Sequence, residues 1–313
     1  MIRLAANWST TLEKLLRKID PPVDYLKIPL ERDCAQQLEA ARPLRPVLLH
    51  GWGPPYRAGM REIPDADLLR KLAQSSGTPY LSVHLDMQPE DFGSEHCNGE
   101  PNEAEAIERI TSSVRKLREI TGLDVLLENC ASYSWSERPG FIVSPEFIST
   151  VLEAANANLL LDLAHVRVSA YHRNETELEY LERLPLQRVR EIHVSGPRLE
   201  PEGLRDRHLP LTETDYNFLE HALTKAKFVH TITLEYAGIP DVGHTRDGRG
   251  IRIPRNDPSA LLEQIARLDT IRKRYGGTQR TAPKLPAGWH LDRRLREQFR
   301  AQMLEQLEFA NVA

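Results

Sequence analysis

Six short apolar runs in this chain each end on a residue able to bind a metal ion. They read PVLLH to His50, YLSVH to His84, VLLE to Glu128, LLLD to Asp162, REIH to His193 and TITLE to Glu235. Two further phrases extend the set: D-L-A-H adds His165 three residues after Asp162, and D-R-H after the fifth run adds Asp206 and His208. With 45 Asp and Glu and 11 His among 313 residues, random placement would rarely end six successive runs this way. A carboxylate at the rim of an apolar layer is costly unless it is paired, hydrogen-bonded or coordinated to a cation. Several converging on one rim are most simply reconciled by metal. Imidazole with bridging carboxylates suits zinc, iron or manganese, and the lack of clustered Cys argues against a structural thiolate site. Taken singly, each histidine reads as a satisfied buried imidazole sooner than as a ligand, and Glu128 equally as a ligand or as a rim ion pair with an arginine. D-R-H and D-L-A-H are weak signals alone; the constellation carries the inference.

Something must bring these ends together. Eight runs have strand length: Ile2–Trp8, Val23–Ile28, Pro46–His50, Tyr80–Leu85, Val125–Glu128, Leu159–Leu163, Arg190–Val194 and Thr231–Tyr236. Most are continuous rather than alternating, as expected of parallel strands buried on both faces. Between them lie amphipathic stretches with helix start and stop signals. These are Ser9–Arg17, Pro64–Gln74, Asn102–Thr121 before Gly122, Pro145–Ala155 after Ser144 and Glu175–Arg183 after Asn174, then Glu213–Lys225 after Thr212 and Asp257–Tyr275 before Gly276 and Gly277. Eight strands alternating with helices predict an α/β fold, a (β/α)8 TIM barrel over 1–277, whose chemistry gathers at the strands' carboxyl ends. Residues 278–313 read as a linker and a C-terminal helix, Leu291–Phe309. There Leu295, Phe299, Met303 and Leu307 form an apolar stripe suited to the barrel wall, a second copy or a peptide-delivering partner.

The net charge of −4 provides no global basic field for nucleic acid or membrane. Cys34, Cys97 and Cys130 are odd in number and lack CxxC spacing, so no disulfide framework is expected. No signal peptide and no apolar stretch of about 18 residues is apparent, and the expectation is a cytoplasmic protein without a membrane span.

The phrases LLHGWG, SVHLD, LLENCASYSW, LLLDLAHVRVSAYH, LPLQRVREIHVSG, RDRHLPLT and TLEYAGIPD resemble, in order and spacing, the multinuclear non-heme iron-dependent oxidative enzymes (MNIO). That family belongs to the xylose-isomerase-like barrels, which include endonuclease IV. The likeness runs from about His50 to Asp241. It implies two or three irons, dioxygen as co-substrate, and modification of a residue, often cysteine, in a ribosomally made precursor peptide, in some members with a separate peptide-presenting partner protein. By analogy Glu128 bridges two metals, His50 and His84 complete one, and Asp162, His193 and Glu235 hold the other. His165, Asp206 and His208 form a third position. Glu128, Asn129, Asp162 and His193 are the implied catalytic residues, with Asn129 orienting a ligand.

Two departures bear on this reading. Many oxidative members carry D-x-N-N where this chain has D-L-A-H, which is closer to the hydrolytic endonuclease IV pattern. The common Pro after Glu-Asn is Cys130 here, read as a buried structural thiol or as one with a substrate-contacting or redox role. Metal-assisted hydrolysis and a non-catalytic metal-stabilised module therefore stand as alternatives. Zinc or manganese are alternative occupants, and the oligomeric state is left open. The loop bearing Arg246, Arg249, Arg252 and Arg255 reads as a solvated loop or as a lid over an acidic substrate, and His96 and Cys97 as an exposed pair or extra ligands.

Overall fold

In a computed structural model, the described residues are 1–31, 33–53, 56–63, 65–92, 102–237, 245–246, 252–253 and 256–279. Eight parallel strands close a barrel: β1 (Arg3–Asn7), β2 (Tyr25–Pro29), β3 (Val47–Gly51), β4 (Tyr80–His84), β5 (Asp124–Glu128), β6 (Asn158–Asp162), β7 (Val189–Val194) and β10 (Thr231–Leu234). Neighbours pair in chain order, and β1 closes on β10 with Leu4 opposite Ile232. All eight expected runs become strands, displaced by a residue or two at their ends.

The helices begin where side chains can satisfy free backbone N–H groups. Ser9 caps α1 (Thr10–Lys18), Asn102 caps α4 (Glu103–Thr121) and Ser144 caps α5 (Pro145–Ala154). Thr212 closes a capping box on α8 (Glu213–Lys225), and Asp257 caps α9 (Pro258–Gly276). Two starts differ from expectation. The helix expected from Pro64 is α3 (Ala66–Ser76), whose cap is Asp65, and the one expected from Glu175 is α7 (Glu177–Arg183), because Thr176 and Glu179 form the capping box.

Two helices and a hairpin were not read from the sequence. The helix α2 (Cys34–Ala41) has no side-chain cap bond from Asp33 to announce it. The helix α6 (Leu163–His172) follows β6 without a loop, so the run expected to continue to Leu163 stops at Asp162. The segment after β7 that carries D-R-H is an antiparallel hairpin, β8 (Gly196–Glu200) and β9 (Gly203–Leu209).

Side chains two apart on a strand share a face, and this places the site. Ala5, Leu48, Tyr80, Leu126 and Leu160 form an apolar cluster inside the barrel. His50, Glu128 and Asp162 stand two residues beyond Leu48, Leu126 and Leu160, and so rise one pleat above that floor at the carboxyl rim. The opposite strand faces pack under the helices in one large core. No helix among the described residues is long and apolar enough to cross a membrane. His96, Cys97, Arg249, Arg255, the side chains of Arg246 and Arg252, and the expected terminal helix lie outside the described residues.

Candidate metal centre

Glu128 stands at the middle of the rim. Its Oε2 lies 3.2 Å from Nε2 of both His50 and His84, and its Oε1 lies 3.2 Å from Nδ1 of His193. His193 Nδ1 also faces Glu235 Oε1 at 3.3 Å and Asp162 Oδ2 at 3.8 Å. Two groups of ligand atoms result, each with all its atoms within 4.8 Å of one another: His50, His84 and Glu128, and Glu128, Asp162, His193 and Glu235. Glu128 is common to both.

The remaining candidates meet in pairs beside these groups. Asp206 Oδ2 is 2.7 Å from His208 Nε2 and 3.4 Å from His165 Nε2, and His208 Nε2 is 4.0 Å from Glu235 Oε2. His208 holds a left-handed backbone (φ 49°), a conformation that a non-glycine residue keeps only where its surroundings enforce it. Ser195 donates to Asp206 Oδ1 and fixes the carboxylate from behind.

Local structure aims several of these groups. Asp162 Oδ1 accepts the His165 N–H at 2.7 Å and so caps α6, leaving Oδ2 to face the cluster. The Asn129 amide clasps the backbone N–H and carbonyl of Asp162 rather than a ligand atom. The Asn129 carbonyl meets His165 Nδ1 at 2.7 Å, which turns Nε2 toward Asp206. His50 Nδ1 rests on Ser82 Oγ at 3.0 Å, so Nε2 points at Glu128. A second partner of this kind fixes which imidazole nitrogen is free for a metal.

Do these residues suit a metal? Among the described residues, both oxygens of Glu128, Asp162 Oδ2 and His193 Nδ1 are buried without a hydrogen-bond partner. Buried polar atoms are ordinarily satisfied, and four orphans aimed into one space fit a cation as the missing partner. The all His/carboxylate donor set suits iron, zinc or manganese.

Electrostatics agree with an anion-rich pocket. Burial pushes the Asp162 carboxyl up to about 6. Burial opposes charge on His165 and His208, but Asp162 and Asp206 outweigh it for His165, raising it to about 10, and Asp206 does so for His208, raising it to about 9. His50 moves the other way, because burial keeps it neutral despite Glu128. Metal-free protein near pH 7 therefore holds His165 and His208 as cations, and ligation must displace those protons. Metal uptake at this position is expected to release about two protons per ion in weakly buffered solution, with affinity rising as pH climbs toward 9. Stoichiometric uptake without proton release would remove these two histidines from the ligand set.

Two residues at the site escaped the sequence reading. Lys27 on β2 and Glu191 on β7 lie inside the barrel, with Lys27 Nζ 2.7 Å from Glu191 Oε1 and 2.6 Å from His193 Nε2. Glu191 is two residues before His193, on the same inner face; that spacing was the available signal. Cys130 is buried against His84 and Arg138, and Cys34 is a buried free thiol whose pKa burial pushes up to about 12. At the mouth, Tyr133 stacks on the half-exposed Trp135, Arg205 lies over both rings, and the Tyr133 hydroxyl accepts the Asp206 N–H.

With this geometry in view, the likenesses are specific. Residues 9–246 match the family described as RiPP precursor modification enzyme MbnB/TglH/ChrH, and the chain belongs to that family. It is 30% identical to a UPF0276 protein of Shewanella amazonensis over 142 residues, 41% of this chain and 50% of that one. To a UPF0276 protein of Rhizorhabdus wittichii it is 27% identical over 234 residues, 73% of this chain and 82% of that one. Its match thus spans only half the length of the first of these relatives. Among solved structures it resembles D-allulose 3-epimerase from Methylomonas sp. (TM-score 0.55, 15% identity, 88% of this chain and 97% of that one). It also resembles endonuclease IV from Thermus thermophilus (TM-score 0.50, 16% identity, 88% and 99%). At such identities these two bear on the fold alone. The family is described as one of enzymes that modify RiPP precursors.

Proposed function

We propose, taking that family membership as premise, that this chain uses two or three iron ions and dioxygen to oxidise a residue, cysteine being the expected target, in a ribosomally made precursor peptide. The observation that carries this reading is Glu128, a single buried carboxylate belonging to two adjacent ligand groups. Iron held by these residues would supply the redox chemistry that couples dioxygen to oxidation of a thiol. The chain's own part is placement. His50 and His84 hold one position with Glu128, while Asp162, His193 and Glu235 hold the other. His165, Asp206 and His208 provide the third, and Asn129 locks the Asp162 backbone so that its free oxygen keeps its aim. Burial of Glu128, Asp162 and His193 excludes water from the reacting space. The Tyr133–Trp135 stack beside Asp206 gives an extended peptide an apolar surface at the mouth. Delivery by a peptide-presenting partner and a cytoplasmic setting belong to the same reading, and zinc or manganese are the alternative occupants.

The distinguishing experiment uses the iron-loaded protein with a short Cys-containing peptide encoded beside it. Product formation is expected to stop without dioxygen and to resume when it is admitted. Unimpaired anaerobic turnover, above all with zinc alone, would move the protein to the hydrolases, the reading that His165 in D-L-A-H favours.

A further inference from the structure

Behind His193, on the side away from the other ligand candidates, stands a pair of charges that the proposed chemistry does not use. The side chains of Lys27 and Glu191 are 1% and 0% exposed. Glu191 Oε1 accepts from Lys27 and from the Thr233 hydroxyl, and the Tyr80 hydroxyl, which donates to the Thr231 hydroxyl, faces the same carboxylate. Both members of the pair converge on one atom, His193 Nε2, which lies 2.6 Å from Lys27 Nζ and 3.3 Å from Glu191 Oε1.

Stability alone does not explain this pair. Withdrawing two charges from water costs more than apolar side chains of similar size would, and such replacements are commonly neutral or stabilising. Neighbouring interior positions are in fact apolar, at Leu48, Leu126 and Leu160. What the pair achieves is orientation. An imidazole can offer either nitrogen, and the partner of one decides which is left for a metal. With Glu191 placed to accept the Nε2–H and Lys27 packed on the same side of the ring, His193 turns Nδ1 and its lone pair toward the cluster, and that atom is buried without a hydrogen-bond partner beside Glu128, Glu235 and Asp162.

We infer that Lys27 and Glu191 are positioning residues that lock His193 with Nδ1 toward the metal position it shares with Glu128, Asp162 and Glu235. The inference rests on the metal-centre reading but not on which reaction follows. Its test is iron(II) binding to the full chain under anaerobic conditions, by elemental analysis and chelator competition, in wild type, in the double variant Lys27→Met/Glu191→Leu, and in Glu191→Gln. The double variant removes both charges together, so the fold is expected to persist by circular dichroism. It should bind one iron roughly 10–100-fold more weakly, the usual consequence of losing a residue that orients a ligand, while the iron at His50 and His84 keeps its affinity. Folded double variant binding every iron as tightly as wild type would overturn the inference alone. Should the double variant not fold, Glu191→Gln decides by the same measurement, wild-type affinity again overturning it. Wild-type protein that binds no iron would sink the metal-centre reading as well.

Discussion

Glu128→Gln is expected to empty two metal positions at once. The substitution keeps the side chain's size and removes only its charge, yet both oxygens face separate groups of ligands: Oε2 toward His50 and His84, and Oε1 toward His193. An amide cannot bridge two cations as a carboxylate does. Iron bound per chain should fall by two, and turnover should drop by at least on the order of a thousandfold, the equivalent of about 4 kcal/mol of lost transition-state stabilisation. Substitution of His50 alone should remove one ion and leave the other. Elemental analysis of the two variants side by side makes the comparison. A Glu128→Gln protein retaining two irons would mean that the bridge lies elsewhere.

A second large effect is expected at a residue that supplies no ligand atom. Gly196 opens β8, and a Cβ built there would stand 2.5 Å from the carbonyl oxygens of both Leu209 and Pro210. Leu209 ends the strand that carries Asp206 and His208 and Pro210 follows it, so the clash can be relieved only by shifting the hairpin backbone. Gly196→Ala should cost about 1–3 kcal/mol of stability, as overpacking does, and should abolish metal binding at His165, Asp206 and His208. The positions around Glu128 should keep theirs. Thermal unfolding and iron content test both halves. Full iron occupancy in Gly196→Ala would show that the hairpin supplies no ligand.

What the sequence makes legible follows from where selection on chemistry conflicts with burial. Each barrel strand announces itself as an apolar run, and a His, Asp or Glu closing such a run is conspicuous because burial penalises it. The closure of eight strands follows from their alternation with capped helices. The hairpin Gly196–Leu209 stays hidden because its strands, GPRLE and GLRDRHL, are partly exposed and charged, and lack the continuous apolar signature. The start of α6 is hidden for a different reason: Asp162 is both the end of a strand and a helix cap, so no loop residues mark the boundary. Lys27 and Glu191 are 164 residues apart and meet only across the closed barrel. A lone Lys in LKIP carries no sign of its partner. Glu191 was within reach, since an acid two residues before a ligand histidine on a strand must share its face.

The most direct test of the shared-carboxylate centre is anomalous diffraction at the iron edge from crystals grown with iron under anaerobic conditions. Two peaks flanking Glu128 are expected, one within coordinating distance of His50 and His84 and the other of Asp162, His193 and Glu235. A single peak that avoids Glu128, or no peak in protein never exposed to chelator, would contradict it.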